Sequence, residues 1–543
     1  MKRRFRSVHT PESLAGVLDS VLGHLQDRRE FLQLLGRGLG YPALASALPA
    51  CGGGSGDGSD PITPAPTEVI PAASAEYTVL KRTSFGLHRD TLSAIRNLGV
   101  DAFLEQQLDY TRIDDGALES SIQALFPLSA QSPPQLIGGF PDNIADIARQ
   151  MIGAAQYRQM FSRRQLYEVM VEFWTDHFNI HLLNGLGPTL KPADDRQVIR
   201  AHALGNFRDL LHASSKSPSM LFYLDNFFNL ASAPNENYAR ELMELHTLGV
   251  DGGYSEDDVK EVARCFTGWS MRFPADPGGD YGTFVFIPAA HDNGAKLVLG
   301  NNIPAGGGQS DGEQVLDILA THPGTAHFIA TKLCRRFIRD DPDAASVAAV
   351  AAAFTQSNGD IRTTLRTLFA TDAFRNNADL KFARPTEYLS ALVRALAPDT
   401  PYPSDDGQLF FFAQAIMGQL PYYWPTPDGY PDRQSYWAST GGLLNRWRLS
   451  FLSFANVIPD INVIQIDYTG MLNGADSAAG IVDALSDSVL MRPLSAADRG
   501  HLLDWLVTEF GQAADVELPP GTPEQIAPLV AAVLVSSAYF QLR

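Results

Sequence analysis

The sequence predicts a mainly α-helical globular protein with one small β-hairpin, and three observations carry that prediction. From Tyr77 onward, apolar residues recur at helical spacing in segment after segment. Hydrophobic residues make up 45% and charged residues 19% of the 543-residue chain, enough to fill a large core. Between 271 and 302 the helical period gives way to Gly, Pro and two-residue alternation.

The first 76 residues stand apart from this pattern. Arg28-Arg29 is followed by a weakly apolar, Gly-rich run ending at Leu48-Pro49-Ala50-Cys51, which resembles a twin-arginine export signal with a lipobox over 1–51. Cys51 is then the candidate lipidation site, and cleavage near Ala50 is the alternative. The Gly/Ser/Pro-rich stretch 52–76 buries too little to fold and reads as a flexible tether. The expected mature chain is exported, periplasmic or on the cell surface, touching membrane only through a lipid on Cys51.

The folded part, 77–543, is expected to be one helical domain, in which any division into two subdomains falls near 305 or near 400. Its helices are expected at 77–108 in two pieces broken at Gly86, then over 143–179, 196–211 and 218–229. The stretch 235–268 reads as two amphipathic helices linked by Gly249, Gly252 and Gly253, the second opened by a capping box at Ser255 and Asp258. Strands at 281–287 and 295–299 form the hairpin. Helices resume at 312–321, 325–340, 343–356, 360–371 and 385–397. After an aromatic, Pro-rich loop over 421–437, they close the chain at 441–455, 477–487, 496–510 and 524–541.

Net charge of −19 and pI near 5.0 argue against nucleic acid as a partner, because binding phosphates needs a basic surface. Dinucleotide-binding, P-loop, serine-elbow and HExxH patterns are absent from the sequence. Of three cysteines, Cys265 and Cys334 either pair after export or remain buried thiols.

Polar residues on apolar faces are the candidates for chemistry. On the 165–181 helix, His177 and His181 share the apolar stripe at the i, i+4 spacing that suits one metal ion. Two hydrogen-bonded core histidines explain the same pattern. Within 235–248, Glu241 falls inside the arc of Tyr238, Leu242, Leu245 and Leu248, with Glu244 and His246 flanking. A carboxylate facing a core must be paired, protonated or metal-bound. Glu241, Glu244 and His246 are therefore the catalytic candidates, and a salt bridge to Arg384 or Arg446 is the structural alternative. His291 and Asp292, on the loop after the strand, join His177 and His181 as candidate ligands of a divalent metal. Trp174, Arg240, Trp269, Tyr423 and Trp437 are the candidate substrate-binding residues.

NENYARELMELHTLGVDGGYSEDDVKEVARCFTGW (235–269) closely resembles the central signature of a bacterial family known as domain of unknown function 1800. The likeness continues through LKRTSFG (80–86), FWTDHFNIH (173–181), HDNGAKLVLG (291–300), ATKLCRRF (330–337), KFARPTEYLSALVRAL (381–396) and GQLPYYWPTPDGYP (418–431). The resemblance implies a secreted, mostly helical protein, often encoded beside an exported sulfatase-like family whose member is the expected partner, and it carries no established catalytic residues. Two functions follow as expectations: a metal-assisted, hydrolase-like enzyme, or a non-catalytic binding or assembly protein.

Overall fold

The structure is a computed structural model that describes residues 70–278, 280–397, 408–454 and 466–543. The expected export signal, Cys51 and the expected tether as far as 69 lie outside the described residues. The first helix, Ala75–Thr83, begins just inside the expected tether, with Ser74 capping it by accepting from the Tyr77 N–H.

The described chain is mainly helical, with two small antiparallel hairpins. One hydrophobic core draws on residues from Tyr77 to Phe540. Pro323–Phe337 packs on Ala344–Gln356, which packs on Ile361–Ala370, and Thr440–Phe454 packs on Thr522–Ser536. The chain end is zipped back onto the middle of the molecule: Lys381 and Arg543 exchange backbone hydrogen bonds at 2.9 and 2.7 Å. That pairing sets Arg543 beside Glu387 at the start of Pro385–Leu396.

Several expected helices are shorter or divided. The 143–179 segment breaks into Ile144–Phe161 and Gln165–His177, because the Ser162 hydroxyl and the Arg163 N–H turn to Asp115 and leave the helical ladder. Gly99, at φ +84°, splits the second expected N-terminal helix into Arg89–Leu98 and Val100–Leu108. His88 caps the first of these, its ring accepting from the Thr91 N–H.

The expected pairing of 281–287 with 295–299 is corrected. β1 (Trp269–Met271) pairs with β2 (Phe284–Phe286), and β3 (Lys296–Val298) pairs with β4 (Asn301–Ile303). Leu299 and Gly300, both at positive φ, make the tight turn that closes β3 onto β4. That turn fixes a local partner for β3, which leaves β2 to find β1.

The signature helix is also irregular. Glu236–Glu241 is α-helical, but Leu242–Thr247 continues as a π-helix in which the Leu248 N–H reaches back to Met243 O at 2.8 Å. Short π segments interrupt helices mostly at functional sites. Ser255 and Asp258 form the expected capping box. Cys265 and Cys334 are buried free thiols, pushed up to about 12 by burial. Among the described residues no helix is long and apolar enough to cross a membrane.

Candidate functional site

The helix Gln165–His177 organises the site, and it stops at His177. Phe178 leaves the helical region at ψ 53°, so His181 lies beyond the last turn. The i, i+4 pair expected from the spacing is not formed. His181 instead sits with its ring edge-on to Tyr423, 6.1 Å between centroids. What ends the helix is visible in the next residue: the Asn179 side-chain amide donates to Trp424 O at 3.0 Å and Thr426 O at 2.6 Å. Gly429 lies so close to Asp176 O that a Cβ there would come within 2.0 Å. The aromatic loop is thus clamped onto the end of this helix.

His177 is buried, and its hydrogen bonds define its tautomer. Nε2 lies 3.0 Å from His246 O, and a carbonyl oxygen only accepts, so Nε2 carries the proton. Nδ1 is left as an acceptor for Lys332 Nζ at 2.9 Å. Burial first, then Lys332 and His246, hold His177 well below the ordinary imidazole range, so the ring is neutral. Lys332, from Pro323–Phe337, is half-buried with its amine 5.5 Å from the centre of the Phe328 ring. Burial brings that amine down to about 8, against the opposing pull of Asp176, Asp432 and Asp428.

The signature helix brings the carboxylates. Glu241 and Glu244 are both half-buried. Burial first, then Glu244, raises the Glu241 carboxyl, and Asp428 adds to the effect. Arg240 opposes it more than Asp428 adds, although its guanidinium is engaged by Glu256 at 2.8 Å and Glu236 at 3.2 Å. Glu241 has no ion-pair partner among the described residues; Arg384 and Arg446, the expected alternatives, are committed elsewhere. Asp428, at the tip of the aromatic loop, accepts from Trp424 Nε1 at 2.8 Å and from the Thr426 hydroxyl. It is the common electrostatic neighbour of Glu241, Lys332 and Tyr223. His246 is buried, pushed down to about 3 by burial and then by Lys332, and its Nε2 has no hydrogen-bond partner.

Behind these groups runs a buried ion network. Arg384 pairs with Asp176 and Glu172, each at 2.5 Å; Arg336 pairs with Glu172 at 2.9 Å and with Glu387, which also takes Arg543 at 2.7 Å. Burial raises the Asp176 carboxyl to about 6, even with Arg384 beside it. The network borders a cavity of about 30 Å³ lined in part by Glu172, Asp176, Thr386 and Tyr430.

Not every sequence candidate reaches this site. His291 belongs to a separate cluster, with Nδ1 donating to Thr267 O at 2.7 Å and Nε2 3.2 Å from Asp311, which also holds Lys296. Asp292 pairs with Arg264 at 2.7 Å. Trp174, Trp269 and Trp437 are core side chains rather than walls of a pocket. Trp174 Nε1 donates to Ala203 O, Trp437 Nε1 to Pro431 O, and Trp269 lies among Phe266 and Phe284 in the first hairpin. Tyr423 stays half-buried near His181. Among the described residues no group of three or more His, Cys, Asp or Glu is arranged to hold a metal ion. The expected convergence of His177, His181, His291 and Asp292 on one ion is therefore not found there.

The structure adds Lys332, Asp428 and Asp176, which sequence reasoning passed over. Each lies inside a segment that carried the family likeness: ATKLCRRF, GQLPYYWPTPDGYP and FWTDHFNIH. That recurrence was the available signal. No curated protein and no solved structure shows a match to the chain. The segments that build the site all fall within residues 78–542, which match the family described as protein of unknown function, DUF1800, and the chain belongs to that family.

Proposed function

We propose that this protein is an exported hydrolytic enzyme in which Glu241 is the general base and the Lys332 ammonium stabilises developing negative charge. One observation carries the reading. A half-buried, unpaired carboxyl raised above its ordinary value lies on the same signature helix whose His246 O holds His177, and that ring accepts from an amine lowered to about 8. Titratable groups whose environments move them toward neutral pH are the usual mark of acid–base catalysis.

In this reading Glu241 takes a proton from an attacking water while Lys332 sits opposite the oxyanion that forms. His177 is a positioning residue: its Nδ1 accepts from the Lys332 amine, and its own orientation is fixed by His246 O. Burial and Glu244 hold Glu241 in the higher range, and Asp176, with Asp432 and Asp428, favours the protonated amine of Lys332. Export is supported by Arg28-Arg29 and the apolar run before Cys51, with lipidation of Cys51 as the tether.

A second reading, a binding or assembly protein acting with an exported sulfatase-like partner, draws support from the Arg384–Glu172–Arg336–Glu387 network, which stiffens a scaffold equally well. A panel of chromogenic esters, phosphates, sulfates, glycosides and amides, assayed with and without divalent cations and chelator, separates the two. The enzyme reading expects turnover of at least one class, cut about 100-fold or more in Glu241→Gln with an unchanged melting temperature. Turnover that is equal in wild type and Glu241→Gln refutes the role of Glu241, and no turnover on any class favours the scaffold.

A further inference from the structure

A second pocket has a cavity of about 260 Å³ between Gly116–Leu125, Ile144–Phe161 and the π-helix Asp195–Arg200. It shares Tyr422 with the cavity beside the ion network, and none of His177, Glu241, Lys332 and Asp428 lines it. Its walls divide by chemistry. Ile122, Met151 and Ala154 give an apolar side, and Arg158 and Arg196 give a cationic one.

The two arginines differ in what neutralises them. Arg158 is matched by Glu119, with Nε and NH2 each bonded to one carboxylate oxygen at 2.9 and 2.7 Å. Arg196 donates only to backbone carbonyls, Ser129 O and Gln131 O at 2.9 Å, and has no carboxylate partner among the described residues. Its chain neighbour Asp195 is already committed to Arg200 at 3.1 Å and to the Tyr422 hydroxyl at 3.1 Å. A half-buried guanidinium without a counter-ion is unusual in a chain of net charge −19. Burial, reinforced by Arg158 and opposed by Asp195, holds that guanidinium below its ordinary range.

We propose that this pocket binds a small monocarboxylate, with its carboxylate on Arg196 and its hydrocarbon part against Ile122, Met151 and Ala154. One unmatched positive charge calls for one negative charge, and a planar carboxylate suits a guanidinium fork. Glu119 at the rim disfavours dianions. The volume suits about ten non-hydrogen atoms.

Titration calorimetry of the intact protein tests this with hexanoate, hexanamide and inorganic phosphate. The expected result is saturable one-to-one binding of hexanoate, with hexanamide at least tenfold weaker and phosphate weaker still. Arg196→Gln is expected to reduce hexanoate affinity at least tenfold. Because Arg196 also ties down 129–131, Ser120→Trp serves as a second variant: Ser120 is exposed at the pocket rim, and an indole there should block entry without touching the core. The assignment is overturned if hexanoate does not bind at millimolar concentration, if hexanamide binds equally well, if phosphate binds more tightly, or if Ser120→Trp leaves binding unchanged.

Discussion

Glu241 keeps its unusual character once its surroundings are known. Its carboxyl is half-buried, unpaired, and raised first by burial and then by the carboxylates of Glu244 and Asp428. Removing one of them tests the cause. In Glu244→Gln the Glu241 titration should move down toward its ordinary 4.5, and the acid limb of any pH–rate profile should move with it. His246 offers a second test, read as stability. Its folded value of about 3 lies below the unfolded value near 6.5, so its contribution is complete above pH 6.5. That contribution is lost as pH falls toward 3, at up to ~1.4 kcal/mol per pH unit. Thermal melts between pH 7.5 and 5 should therefore show a flatter decline in His246→Asn than in the native protein. Glu241 was legible in the sequence because a charge inside an apolar arc violates a pattern. Lys332 and Asp428 violate none. Each is an ordinary charged residue in its own segment, and only the fold brings 177, 241, 332 and 428 together.

At the scale of elements, the aromatic loop and the π turn decide where those residues sit. Asn179→Ala removes two hydrogen bonds to Trp424 O and Thr426 O and leaves both carbonyls short of a donor, a loss of about 1–3 kcal/mol. Gly429→Ala should cost more than the ~1–2 kcal/mol of a left-handed backbone, because φ there is +73° and its Cβ would meet Asp176 O. Melting curves and limited proteolysis of the 421–437 loop would register both, with Gly429→Ala the more damaging. The helical period located most helices in the chain but failed inside the signature, since a wheel drawn for an α-helix misplaces faces where the ladder shifts to i→i+5. His246 O is free to receive His177 because the helix ends at Thr247 and its last carbonyls have no intrahelical donor. Spacing alone also overestimated the Gln165–His177 helix, because a tertiary contact, Asn179 to the loop, ends it. The hairpins were half legible: alternation marked β2 and β3 as strands, while the choice of partners was set by a turn at Leu299-Gly300 and by Trp269 packing on Phe284.

For the molecule as a whole, composition and period were enough for the mainly α class, because a long chain with repeated amphipathic segments buries its apolar faces by helix packing. The return of the C-terminus to Lys381, and the ion network it completes around Glu387, had no local signature. Export belongs to this scale as well. Replacing Arg28 and Arg29 together by Lys should leave unprocessed chain inside the cell, and fractionation would read it directly. The central claim is that Glu241 and Lys332 act as one acid–base site. The pH dependence of kcat/KM tests it most directly, measured on the best substrate of the panel with the native protein, Glu241→Gln and Lys332→Met. The native profile should fall on the alkaline side near pH 8. That limb should vanish in Lys332→Met, and the acid limb should vanish in Glu241→Gln, with both variants folded. Profiles of the same shape in all three proteins would contradict it.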